Sequence, residues 1–181
     1  MNNKFYAGIG SRETPEDICE LMFRLATDLS FLGYTLRSGG AGGADEAFEM
    51  GARSAKGKME IYLPWKNFRG ITDGILVDDD FEAQIIAEMH HPAWEFLGRG
   101  AKQLMTRNTF QVLSLKEDVA NSAFVLCWTA DGAETKTTRE TGGTGQAIRI
   151  AIAHNIPVFN LKNEDALERF NKFLDTFVVS D

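Results

Sequence analysis

The residues Ser38-Gly39-Gly40-Ala41-Gly42-Gly43-Ala44-Asp45 decide the reading of this chain. They follow an apolar run at Tyr34 to Leu36. They lead into a helical pattern in which Ala44, Ala47, Phe48, Gly51, Ala52 and Ala55 recur at spacings of three and four. Four glycines in five residues are more than a turn needs. Glycine lets backbone come close to another group and adopt positive φ, and a helix N-terminus beyond it offers free N–H groups to an anion. The stretch is not a Walker loop, because Gly-Lys-Ser/Thr is missing, and it is not the dinucleotide GxGxxG in its usual place.

Working outward, five apolar runs have strand length: Phe5 to Ile9, Tyr34 to Leu36, Met59 to Leu63, Ala123 to Trp128 and Ile156 to Leu161. Most are continuous rather than alternating, as suits strands buried on both faces of a parallel sheet. Helical patterns lie between them. The first carries Ile18, Leu21, Met22, Leu25, Leu29 and Leu32. It opens on Thr14-Pro15-Glu16-Asp17, read as a cap, a proline at the first helical position and an acidic first turn, and it stops at Gly33. A short apolar helix spans Gln146 to Ala153, and a last one from about Glu164 carries Leu167, Phe170, Leu174 and Phe177. The alternation predicts an α/β fold of the Rossmann-like, doubly wound type, with a mostly parallel sheet and helices on both faces. Residues 66–115 read as a helical middle segment. Phe81, Ile85 and Met89 mark one helix, broken at His91-Pro92, and Trp94, Leu97, Ala101 and Leu104 mark another. Lys66 to Asp80 reads as a long surface loop or lid. The expectation is one domain over 1–181.

The 181 residues are 44% hydrophobic and 25% charged, with 19 Lys and Arg against 26 Asp and Glu, a net charge of −7. A core-forming chain with that balance is not disordered, and a broad basic face for nucleic acid is not expected. Two cysteines are too few for a disulfide framework and suit a reducing compartment. The N-terminus has no signal-peptide pattern and no run is long enough to span a membrane, so a cytoplasmic location is expected.

Two more glycine clusters join the first: Gly8 with Gly10, and Gly142, Gly143 and Gly145. In an open parallel sheet, turns that follow strands share the carboxyl edge, where ligands bind. The expected cradle comprises Gly10, Ser11 and Arg12; Ser38, Gly39, Gly40, Gly42, Gly43 and Asp45; and Gly142, Gly143, Thr144, Gly145 and Gln146. Arg12 is the best-placed cation among Arg12, Arg37, Lys136 and Arg139. Trp128 either stacks on a base or packs in the core, and Cys127 is a small buried hydrophobe. His90-His91 reads as a helix-end pair rather than a metal pair, and no metal site is expected. Asp78-Asp79-Asp80 reads as a solvated charge run, with Mg²⁺ beside a phosphate as the alternative.

Gly8-Ile9-Gly10-Ser11-Arg12, the Ser38 to Asp45 stretch with Gly51-Ala52, Arg107-Asn108, and Gly142-Gly143-Thr144-Gly145 together resemble the SLOG superfamily. This group holds the DNA-processing protein DprA, the LOG phosphoribohydrolases and nucleotide sensors of bacterial defence systems. The resemblance runs from about Phe5 to Leu161 and is nearest in character to small members, many from bacteriophages. It implies a Rossmann-like fold and a nucleotide-type ligand; no cofactor beyond that ligand is assigned. It also implies a role for Arg107 at a phosphate or sugar, with Asn108 as polar support.

One departure bears on activity. LOG enzymes place a glutamate four residues after the last glycine of PGGxGTxxE; here that position is Arg149 and the proline position is Thr141. The expected function is therefore binding, by a sensor or sequestering protein for a nucleotide signal of the cyclic ADP-ribose or cyclic dinucleotide type. The alternative is an N-glycosidic hydrolase or ribosyl transferase that uses Arg107, with Glu13 or Asp45 in place of the missing carboxylate. DprA-like binding of single-stranded DNA ranks third, and nucleic acid is an unlikely partner. Self-association into a dimer or larger is expected, with Trp94, Phe96 and Phe110 as an interface or else as part of the core.

Overall fold

The computed structural model of the protein describes residues 4–77 and 80–178, with side chains to position 176. Six parallel strands form the sheet: β1 (Phe5–Gly8), β2 (Thr35–Ser38), β3 (Met59–Leu63), β4 (Ile75–Leu76), β5 (Val125–Cys127) and β6 (Val158–Asn160). Their order is β4-β3-β2-β1-β5-β6, and all five pairings are parallel. Six helices connect or follow them: α1 (Glu16–Phe31), α2 (Ala44–Ser54), α3 (Phe81–His90), α4 (Arg99–Val112), α5 (Thr144–Ala153) and α6 (Ala166–Val178).

Strand residues alternate between two cores, because successive side chains point to opposite faces. Tyr6, Leu36, Phe124, Leu126 and Phe159 meet Met22 and Leu29 of α1, Phe48 of α2 and Phe170 of α6. Ala7, Ile9, Val125, Cys127 and Val158 meet Val112 of α4 and Ala147, Ile148 and Ile150 of α5. Helices therefore cover both faces of a doubly wound, Rossmann-like α/β sheet. Trp128 and Cys127 are both buried in these cores. The chain winds outward from β1 to β4 and then returns to place β5 on the other side of β1. The switch point lies between the carboxyl ends of β1 and β5, where such folds leave a crevice.

The structure corrects three local readings and decides a fourth between its two alternatives. Thr14 does not cap α1, because its Oγ1 donates to the Ser11 carbonyl at 2.7 Å and Pro15 takes the cap position. Lys66 to Asp80 is not simply a surface loop: Phe68 is buried, and Ile75 and Leu76 pair with Tyr62 and Leu63 as an edge strand. A two-residue strand is too short to leave a periodic signal. The Trp94 to Leu104 pattern is broken, with a 3₁₀ turn at Trp94–Phe96 and α4 starting after Gly98. Finally, Trp94 is buried and Phe110 stacks on Tyr62 with ring centroids 5.5 Å apart, so of the three aromatics considered for an interface only Phe96 is exposed. Phe81, Ile85 and Met89 do lie on a helix but are themselves exposed, while Ala83 and Ala87 face inward. Asp80 Oδ1 caps that helix by accepting the Ala83 N–H at 2.9 Å. Asp78 and Asp79 lie outside the described residues, as does the side chain of Phe177.

α1 and α2 pack closely because Gly51 has no side chain. A Cβ there would sit 2.2 Å from the Phe23 carbonyl oxygen. Alanine in a helix interior normally gains about 1 kcal/mol over glycine. Here the neighbour is backbone, so overpacking outweighs that gain. Gly51→Ala is expected to lose about 1–3 kcal/mol of stability in urea denaturation; a gain would contradict this packing.

Candidate functional site

A cavity of 380 Å³ opens at the switch point, within the size range of small-molecule sites. Its walls come from three turns: Ile9, Gly10, Ser11, Arg12 and Glu13 after β1; Ala41 and Asp45 after β2; and Glu140, Thr141, Gly142, Gly143 and Thr144 ahead of α5. Ala130 after β5, Ala147 of α5, and Leu104, Met105, Arg107, Asn108 and Gln111 of α4 complete it.

A chain of buried polar groups ties the three turns together. Asp45, in the first turn of α2, accepts the Ala41 N–H at 3.3 Å, and the N–H groups of Gly39 and Gly10 lie near enough to favour its charged form. Arg107 donates through NH1 to the Gly39 carbonyl and through Nε to Asn108 Oδ1 at 3.1 Å. Asn108 Nδ2 donates to the Gly143 carbonyl at 3.1 Å. The first turn is fixed as well by the Ser11 carbonyl, which accepts the Ala44 N–H at 3.2 Å.

Burial dominates the electrostatics. Desolvation raises the Asp45 carboxyl above its usual range, against the lowering effects of Arg107 and three N–H groups. Desolvation also lowers Arg107, while Asp45 works the other way. The two charges influence each other, but no direct ion pair joins them. Arg107, 6% exposed, keeps donors uncommitted at the cavity wall. Beside it Gln111, 2% exposed, has a side-chain amide that makes no hydrogen bond among the described residues. Among the described residues Tyr6 OH is the one side-chain polar atom that is fully buried and unpaired, so the free ends of Arg107 and Gln111 open on the cavity, where a polar occupant can meet them. The N–H groups of Gly143 and Thr144, at the start of α5, have no acceptor among the described residues. The exposed Arg12 guanidinium likewise makes no hydrogen bond or ion pair with them. Glu13 and Glu140, both exposed, line the cavity as well.

The structure thus gathers Gly10, Ser11, Arg12, Glu13, Asp45, Arg107, Asn108, Gly142, Gly143 and Thr144 around one cavity. Others expected in the cradle stand behind it. Ser38 Oγ donates to the Gly8 carbonyl at 2.7 Å. Gly39 lies against Arg107, where a Cβ would collide with the guanidinium. The Gly40 N–H donates to Glu49 Oε1 at 3.0 Å. Gly43, at φ 73°, lets the Ser11 and Arg12 carbonyls pass. Gly42 borders a neighbouring cleft. Gly145 packs on Thr141. Gln146 is buried, with Nε2 donating to the Ala87 carbonyl at 2.7 Å. Arg149 also faces away from the cavity, donating to the His90 carbonyl at the end of α3 and to Thr137 and Gln146. Arg37 is buried against Glu60 at 2.8 Å. Sequence reading missed Gln111, Met105, Leu104 and Glu140; ordinary residue types on a helix or in a polar loop carry no motif. Among the described residues no three His, Cys, Asp or Glu come together as a metal site, and no helix is long and apolar enough to cross a membrane.

The fold and this crevice define a Rossmann-like α/β protein with a cavity at the topological switch point. No protein-family model and no curated protein matches the sequence. Solved structures do. The Moco carrier protein of Chlamydomonas rheinhardtii matches with a TM-score of 0.52 at 16% identity, over 97% of this chain and 86% of that one. DNA processing protein A from Helicobacter pylori, described for its single-stranded DNA binding mode, matches with a TM-score of 0.50 at 18% identity, over 94% and 72%. Both likenesses, at low identity, show the shared Rossmann-like α/β fold.

Glu49 of α2 sits under the Gly40 turn. Desolvation first, and the Asp45 charge second, push its carboxyl from 4.5 up to about 7. Between those values the folded chain holds a proton that the unfolded chain has lost, so stability falls as pH rises through the window and stays low above it. Glu49→Gln, which still accepts from Gly40, is expected to flatten that slope and add about 2–3 kcal/mol at pH 8. Urea titrations from pH 4 to 8 measure both; a slope as steep as the wild type's contradicts the assignment.

Proposed function

We propose that this protein, as a SLOG member, binds a nucleotide-derived, phosphate-bearing small molecule in the switch-point cavity and acts as a sensor or sequestering protein for a nucleotide signal. The observation that carries this reading is the wall where Arg107 and Gln111 hold unpaired polar groups beside the free Gly143 and Thr144 N–H groups. A phosphate would accept from the α5 N-terminus and from Arg107, as anions do at helix starts and guanidinium forks. Met105 and Leu104 supply an apolar wall for a base, and Glu13 and Glu140 are placed to accept from ribose hydroxyls. The binding reading outranks catalysis because Arg149, which replaces the LOG glutamate, turns away from the cavity.

Gly143 allows a clean test. Its φ of −61° suits any residue, and nothing but Met105 Cε comes within 4 Å of an added Cβ. Aspartate at a helix cap also favours the helix, so Gly143→Asp is expected to fold normally while setting a carboxylate against the anion. Isothermal titration with AMP and with cyclic di-AMP is expected to show binding by wild type that is weakened at least about tenfold in the variant, in keeping with the cost of an unpaired like charge. Equal heats for the two proteins would contradict the site.

A hydrolytic reading has one observation in its favour: Glu13 lines the same cavity as Arg107. Incubation with nucleoside monophosphates and chromatography for free base distinguishes the two. We expect none; release of base that Glu13→Gln abolishes would favour the enzyme. Self-association also belongs to the proposal, resting on the exposed Phe81, Ile85, Met89 and Phe96. Light scattering at the monomer mass of 20.1 kDa would contradict it.

A further inference from the structure

A second cleft adjoins the cavity. Its volume is 550 Å³, and Arg12, Gly42, Trp65, Phe68 and Arg69 line it. Arg12 lines both spaces. Phe68 also connects them: its ring lies 5.8 Å from the Arg107 guanidinium on one side and meets Trp65 edge to face, centroids 5.1 Å apart, on the other. Of this group of two arginines and two aromatics, Trp65, Phe68 and Arg69 take no part in lining the main cavity.

Three features mark the cleft as built. Trp65 is 37% exposed, whereas Trp94 and Trp128 are buried at 7% and 8%. The turn that follows it holds Asn67 at φ 59°, Arg69 at φ 50° and Gly70 at φ 77°, so two side-chain-bearing residues sit in the left-handed region. Such conformations cost energy and persist where surrounding structure demands them. Here the result is to set Arg69 over the glycine loop, where NH1 donates to the Gly40 carbonyl at 3.1 Å and NH2 reaches the exposed Glu46 at 3.4 Å. Gly42 borders the Arg69 guanidinium, which a Cβ there would meet in ordinary contact at 3.6 Å.

We propose that this cleft is a second subsite, in which Trp65 stacks a base and Arg69 and Arg12 meet the adjoining phosphate. The ligand is then a dinucleotide: one phosphate-bearing half lies in the switch-point cavity and the other half lies on Trp65. The inference rests on the nucleotide reading of the main cavity and deepens it. An exposed aromatic flanked by arginines is the usual platform for a nucleobase, because every base has a π-face and each phosphate needs a cation. A small molecule is favoured over a nucleic-acid strand. The two spaces hold two nucleotide units, and a chain of net charge −7 offers no basic track leading away from them.

The test is titration of wild type, Trp65→Ala and Arg69→Asn with AMP, the linear dinucleotide pApA and a ten-nucleotide oligoadenylate. Asparagine tolerates the left-handed backbone at position 69, so that variant stays folded even if Trp65→Ala disturbs the turn. Wild type is expected to bind pApA about tenfold more tightly than AMP, with quenching of Trp65 fluorescence. Each variant is expected to lose that advantage while holding AMP within twofold. Equal affinity for AMP and pApA, unchanged by either variant, would overturn the second subsite alone. Failure of wild type to bind either nucleotide would overturn the reading of the main cavity. Affinity that keeps climbing from pApA to the ten-nucleotide strand would assign the cleft to nucleic acid and overturn the small-molecule ligand.

Discussion

The site depends on one relay of buried polar contacts. Asp45 gathers N–H groups from the turn after β1 and the turn after β2. Arg107 reaches from α4 to the Gly39 carbonyl, and Asn108 carries the connection on to Gly143 at the start of α5. Four segments that are distant in sequence are held at one sheet edge by three side chains. Taking a guanidinium and a carboxylate out of water costs several kcal/mol per ion, and such a pair is retained only where the geometry repays it. Here the repayment is incomplete. Arg107 and Asp45 form no direct ion pair, and the donors that Arg107 leaves uncommitted open on the cavity. The same residues that assemble the walls therefore also leave donors open on the cavity.

The sheet explains why this happens where it does. Outward winding from β1 to β4 and the return to β5 part the connections on either side of β1, and a crevice must open there. The crevice is lined by backbone because the glycines permit it. Gly43 in the left-handed region allows the Ser11–Arg12 carbonyls to rest on the start of α2, and Gly39 leaves room for the guanidinium. Without those two close approaches, α4 could not bring Arg107 under the second turn.

The strands and the three glycine turns were legible in the sequence because continuous apolar runs and clustered glycines have few other uses. What a glycine approaches is not legible. Gly39, Gly40 and Gly43 read as ligand contacts, yet each has a protein neighbour: Arg107, Glu49 and the Ser11–Arg12 backbone. Gly51 closes on the Phe23 carbonyl. The middle of the chain was the least readable. The Ile75–Leu76 strand is held by backbone bonds to β3 while its side chains remain exposed, so hydropathy carried no trace of it. Gln111 was invisible for a different reason. An amide in mid-helix is ordinary until the fold turns it to a cavity wall.

The central claim concerns where negative oxygen is held, and amide chemical shifts read this directly. In a ¹H–¹⁵N correlation spectrum titrated with AMP, the largest changes are expected at the backbone amides of Gly143 and Thr144, the Arg107 Nε–H and the Gln111 side-chain amide. Changes confined to the α3 face or the far end of the sheet, with those four signals unmoved, would contradict the account.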